Sequence, residues 1–177
     1  QTVARVAESL VERGLFRRDG GSALGFPSPL AREVVLSELD AEDLANLHRR
    51  AASAHVALLG RRLDEEADRV GYHLAAAGDR DAAADFYARG GLHALSTRKL
   101  ERAALDLAYA LDLTDLEARS TSQTGNWLRA LSTAVRHVRT GPNLTSLVER
   151  LTERALREGV APVLRAYMRI DLACILG

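Results

Sequence analysis

The feature that most constrains this chain is the rhythm of its apolar residues. From Ser28 onward they recur at helical spacing, and several runs stop at a glycine. Ser28 followed by Pro29 is a cap with proline at the first helical position, so a helix is predicted to about Leu39. Asp40 opens the next, with Leu44, Leu47, Ala51, Ala54 and Leu58 as one stripe and Gly60 at its end. Asp64 is predicted to start a helix that ends at Gly78, and Asp79 the one carrying Ala82, Ala83, Phe86 and Tyr87. Thr97 is read as the cap of a helix with Leu100, Ala103, Ala104, Leu107, Ala108 and Leu111 on one face. Thr114-Asp115-Leu116-Glu117 has the form of a capping box, and residues 119–126 read as a polar loop. Helix resumes at Trp127, and Gly141-Pro142 and Pro162 restart two more helices.

The amino-terminal stretch differs. Residues 1–13 form an amphipathic helix, with Val3, Val6, Ala7, Leu10 and Val11 together and Gly14 suited to the left-handed position after it. Two short apolar runs around Asp19-Gly20-Gly21 then read as a β-hairpin, the one strand signal in the sequence. The expected fold is therefore mainly α: the last part of a winged helix over residues 1–39, then antiparallel helical hairpins of tetratricopeptide-like type over residues 40–177. Predicted starts at Asp64 and Thr97 lie 33 residues apart, and those at Asp79 and Thr114 lie 35 apart, close to the ~34-residue period of such repeats. Tyr87, Gly91, Ala94, Ala103, Leu107 and Ala110 fall where small residues would let two helices approach.

A chain of 177 residues, 47% hydrophobic and 27% charged, is long enough to bury a core and too apolar to be a disordered tail. With Cys174 as its one cysteine it is no disulfide scaffold. No apolar run is long enough for a membrane span, and the start reads as amphipathic helix and not as a signal peptide. The start without methionine and the helical pattern still running at its end suggest a piece of a longer protein. Residues 63–117 carry a net charge of −6 and residues 118–177 a net of +5, a segregation suited to charged partner surfaces or contacts between copies.

Catalytic chemistry finds little footing. There is no phosphate-binding loop, no Gly-x-Ser-x-Gly elbow and no His-Glu-x-x-His. His48 and His55 share a helix face but stand two turns apart, so no local metal site is expected. Glu65 and Glu66 read as macrodipole partners at a helix start. No catalytic residue, metal or cofactor is assigned to this segment.

The helix, Arg17-Arg18 and the tight hairpin together have the form of the back half of a winged helix. Residues 3–15 resemble the matching part of MarR-type regulators, which makes Arg5, Arg17 and Arg18 the residues of a DNA-binding alternative. The outward Glu8 and Glu12 oppose it, because carboxylates repel phosphate. A broader resemblance runs over roughly residues 1–115. Leu10-Val11-Glu12-Arg13-Gly14-Leu15-Phe16-Arg17-Arg18-Asp19-Gly20-Gly21 and Gly25-Phe26-Pro27-Ser28-Pro29-Leu30-Ala31-Arg32-Glu33-Val34-Val35 carry it, with His48-Arg49-Arg50-Ala51-Ala52 and Tyr72-His73-Leu74-Ala75-Ala76-Ala77-Gly78-Asp79. These runs resemble the junction of winged helix and tetratricopeptide-like helices in large ATP-binding LuxR-type regulators and related STAND signalling ATPases.

That resemblance implies a cytoplasmic bacterial transcription regulator, with ATP or ADP held by a core outside this segment. It implies a signal-transducing scaffold that meets a protein partner, another copy or a small-molecule effector through its helices. The family commonly has Phe-x-His-x-Leu-x-Arg after the hairpin, and its histidine is implied to sense nucleotide phosphate. This chain has Ser28 there, which can donate a hydrogen bond but cannot become cationic and serves equally as a helix cap. A third reading is an effector pocket within the helices, with Trp127 and Tyr167 as candidate lining.

Overall fold

A computed structural model describes residues 2–19, 24–115, 121–137 and 141–157, with residues 162, 165, 166, 169 and 173 beyond them. Its elements are α1 (Thr2–Glu12), β1 (Arg17–Arg18), β2 (Leu24–Gly25), α2 (Pro29–Ser37), α3 (Ala41–Leu59), α4 (Ala67–Ala76), α5 (Arg80–Ser96), α6 (Leu100–Leu113), α7 (Thr121–Val135) and α8 (Pro142–Arg157). The protein is mainly α-helical with one small antiparallel hairpin. It divides into two compact units, Gln1–Leu44 and Ala45–Gly177.

In the first unit α1 ends as its sequence predicts. Gly14 sits at φ +71, and the Gly14 and Leu15 amides donate to the Val11 and Leu10 carbonyls. The hairpin pairs Arg17 with Gly25 and Arg18 with Leu24, and the Phe16 and Phe26 rings meet at 4.8 Å. Its turn, at residues 20–23, lies outside the described residues. Ser28 caps α2 as expected, its hydroxyl accepting from the Ala31 amide at 3.1 Å. Asp40 does the same for α3 through the Asp43 amide at 2.8 Å.

The second unit is built on small residues. Gly71 of α4 lies under the Tyr87 ring, where a Cβ would come within 2.9 Å of the ring carbons. A Cβ on Gly91 of α5 would fall 2.7 Å from Leu107 Cγ and 3.1 Å from the Leu107 amide nitrogen. Ala83, Ala84 and Ala88 of α5 and Ala103, Ala104 and Ala108 of α6 are buried beside them. The helices thus approach until backbone meets side chain. The main core continues through Leu107 and Leu111 of α6 and Trp127, Leu128 and Leu131 of α7 to Leu144, Leu147 and Leu151 of α8. From α8 the Arg154 guanidinium reaches the end of α6 and donates to the carbonyls of Leu111, Asp112 and Thr114 at 2.5–2.8 Å. A cation there satisfies carbonyls that helix geometry leaves unpaired and offsets the macrodipole.

Several sequence expectations shift. The helix expected from Asp64 begins at Ala67, after a 3₁₀ turn at Gly60–Arg62 and further turns through Glu66. Glu66 pairs with both Arg62 and Arg69 there. Thr97 does not cap α6. It closes α5, its hydroxyl donating back to the His93 carbonyl at 3.0 Å, and Lys99 precedes α6. Thr114 likewise ends α6, donating to the Ala110 carbonyl at 2.7 Å, while Glu117, the other end of the expected capping box, lies outside the described residues. Residues 121–126, expected as loop, are the first part of α7. Burial of Thr124 and the bond from Gln123 Nε2 to Asp85 at 3.2 Å recruit this polar stretch. The spacing of starts is 33 residues from α4 to α6, and the residues just before the described part of α7 lie outside the described residues. The helix expected after Pro162 and the lone Cys174 fall largely or wholly outside the described residues.

The ends of α4 and α5 share one backbone turn with different residues. Gly78 (φ +83) donates to the Ala75 carbonyl and Asp79 to Leu74. Arg98 (φ 60) donates to Leu95 and Lys99 to Ala94. A side chain at positive φ costs roughly 1 kcal/mol, which glycine avoids. Arg98→Gly is expected to raise the unfolding free energy by about 0.5–1 kcal/mol and Gly78→Ala to lower it by about 1 kcal/mol. Urea unfolding checks both, and an unchanged midpoint for the pair would show that the turns carry no strain.

Candidate functional site

The second unit holds an open cleft of about 450 Å³ lined by His55 of α3, Asp68, Arg69, Tyr72 and His73 of α4, Tyr87 of α5, and Leu105, Asp106 and Tyr109 of α6. Each wall follows from helical spacing. Asp68, Tyr72 and Leu105, Tyr109 are i, i+4 pairs, which stack on one helix face. Tyr72 is 53% and Tyr109 38% exposed, so their rings present apolar surface at the mouth. Tyr87 lies deeper, its ring 5.3 Å from that of Tyr109. Burial, then the neighbouring Tyr109 and the carboxylates of Asp106 and Asp68, push its phenol up to about 12, so it stays a neutral donor.

Asp106 is the group most out of keeping with its surroundings. It is 4% exposed, packed against the bare backbone of Gly90. Burial, and then Asp68 nearby, raise its carboxyl to about 7, against the opposing pull of Arg102. Arg102 ties this floor together. Its guanidinium pairs with Asp68, stands 3.5 Å from Asp106 and donates to the Glu65 carbonyl at 2.6 Å.

At the edge of the cleft, α3 and α4 bring three imidazoles together. His48 Nδ1 and His73 Nδ1 are 2.9 Å apart, a distance at which one ring donates and the other accepts. His55 stacks on His73 with centroids 5.3 Å apart. The Tyr72 ring stands edge-on to His73 at 5.3 Å and to His48 at 6.0 Å. Burial, then His48 and His55, lower the pKa of His73. Among the described residues no three His, Cys, Asp or Glu side chains are arranged to hold a metal ion.

The residues singled out in the sequence lie elsewhere. Arg5 is exposed on α1. Arg17 pairs with Asp19 at 2.8 Å, and Arg18 faces Glu8 at 3.6 Å, so both hairpin guanidiniums already meet a carboxylate. Ser28 is occupied as the cap of α2. Trp127, weighed as pocket lining, is 4% exposed within the main core and lines no part of the cleft. Large aromatic area is worth more buried between helices than left at a rim. Tyr167 lies outside the described residues. The cleft is not legible in the sequence because its residues come from four helices. The available signal was the i, i+7 pair His48 and His55, which shows its third member only when α4 packs beside α3. Among the described residues no helix is long and apolar enough to cross a membrane. Compared with protein-family models, with curated proteins and with solved structures, the chain matches none of them.

Proposed function

We propose that this chain is a non-catalytic interaction scaffold from a cytoplasmic, STAND-type bacterial transcription regulator, the kind of protein its sequence resembles. The observation that carries the scaffold reading is the glycine- and alanine-lined packing of α4 to α6 beneath an open cleft of aromatic rings, imidazoles and carboxylates. Close backbone packing gives a rigid wall, and a rigid wall lowers the entropic cost of holding a partner. The cleft would take a segment of a partner protein or a small effector, and the winged-helix part would pass on the nucleotide state of an ATPase core elsewhere in the parent. DNA binding is the weaker reading, because phosphate would have to displace Asp19 and Glu8 from the hairpin arginines.

The test is amide hydrogen exchange on the full parent protein with ADP and with a non-hydrolysable ATP analogue. Altered protection in α2 to α4 is expected, and identical exchange in both states would overturn the relay. Fluorescence anisotropy with a mixed-sequence DNA duplex separates the alternative. Salt-dependent binding that is lost in the Arg17→Ala, Arg18→Ala double variant would put DNA recognition first.

A further inference from the structure

The three imidazoles between α3 and α4 do more than line a cleft. We propose that His48, His55 and His73 form a pH-sensitive latch, which holds α3 against α4 while neutral and releases α3, opening the cleft, when protonated in mild acid. The geometry sets the sign. The 2.9 Å contact between two Nδ1 atoms needs a hydrogen on one and a lone pair on the other. An imidazolium carries hydrogens on both nitrogens, so two protonated rings place N–H against N–H at that distance. His55 stacks on His73 with ring centroids 5.3 Å apart, so a proton on it would place a third positive charge beside the pair. Among the described residues, few other contacts tie α3 to α4. A small apolar group of Ala52, Leu59 and Val70, with Leu63, Leu74 and Phe86 against it, lies along the junction, and Arg49 donates to the Ala77 carbonyl at 3.4 Å.

The surrounding charges do not neutralise a protonated cluster. Arg49 of α3 and Arg69 of α4 are themselves cations, and the Tyr72, Tyr87 and Tyr109 side chains in the cleft bring no carboxylate. Of the carboxylates, Asp68 is engaged by Arg102, and Asp106 of α6, raised to about 7, is itself mostly protonated below pH 6. His73 is lowered from its ordinary 6.5. The stability it lends is complete above about pH 6.5 and drains away as pH falls toward that lowered value. The latch is therefore closed at neutral pH and opens on acidification.

Hydrogen exchange of the full chain tests this, with intrinsic rates corrected for pH. Amides of α3 are expected to lose about tenfold in protection between pH 7.5 and pH 5.5, beyond any change in α6 or α7. His73→Gln, which keeps a hydrogen-bonding side chain but cannot charge, is expected to abolish that loss, and His48→Gln to abolish most of it. His137→Gln, two residues past α7, leaves it intact. Should His73→Gln fold poorly, His48→Gln reports the same contact from α3. Equal protection at both pH values in the unmodified chain would overturn the latch, as would an unchanged pH response in both cluster variants.

Discussion

Gly91→Val is expected to destabilise the protein by about 3 kcal/mol. The Cβ alone would meet Leu107 Cγ at 2.7 Å, the Leu107 amide nitrogen at 3.1 Å and the Ala103 carbonyl oxygen at 3.3 Å. A side-chain tip can rotate away, but two of these three neighbours are backbone of α6. The helices must separate, and the contacts that Ala103, Ala104 and Leu107 make with α5 go with them. Valine gains a little helix propensity over glycine, a few tenths of a kcal/mol, which does not offset the clash. Denaturant unfolding of Gly91→Val beside Gly141→Ala, where a Cβ meets nothing within 4 Å, separates the two effects. Equal midpoints for the two variants would show that α5 and α6 are not in close contact.

The second large effect carries the opposite sign. Asp106→Asn is expected to stabilise the protein at pH 8 and to leave it nearly unchanged at pH 4. A carboxyl held at about 7 in the folded chain, against an ordinary 3.8, favours folding while protonated. That stabilisation is complete below about pH 4 and is lost as pH rises to about 7, a difference of roughly 4 kcal/mol at the upper bound. The amide does not ionise, and Arg102 keeps Asp68 and the Glu65 carbonyl as partners, so no cation is stranded. Thermal unfolding from pH 4 to pH 8 should show a stability difference that grows with pH. A variant less stable than the unmodified chain at pH 8 would mean that the Asp106 carboxylate is a net stabiliser.

Asp106 and the histidine latch act in overlapping pH windows and in opposite directions. Acidification removes the charge that Asp106 buries and adds charge to the imidazoles between α3 and α4. A bulk unfolding curve therefore sums the two, whereas exchange resolved by helix separates a tightening α5–α6 floor from a loosening α3.

Much of the architecture is legible in local pattern. The hairpin follows from two apolar runs around Asp19-Gly20-Gly21, and α2 from Ser28-Pro29. The glycines at 14 and 78 mark their helix ends because only a residue without Cβ takes positive φ at little cost. Thr97 is harder to read for a related reason. A threonine hydroxyl can bond forward to an amide or back to a carbonyl four residues earlier, and local sequence does not say which. Residues 121–126 look polar in isolation and are helical because Thr124 is buried and Gln123 meets Asp85 of α5.

What the sequence by itself determined is the helical class, the single hairpin and those helix ends whose glycine or cap acts within a few residues. The tertiary structure decided the site. Asp106 is one more acidic residue on a helix until Gly90 lets α5 close over it, and its carboxyl shifts only then. His73 becomes part of a cluster only when α3 lays His48 and His55 against it from 25 and 18 residues away in sequence. Trp127 went to the core and Tyr72 to the rim, although both are large aromatics on amphipathic helices. Backbone preference is a near-neighbour property that a sequence displays directly. Desolvation and charge pairing depend on which helices touch, and that is fixed by how closely glycine and alanine let them approach.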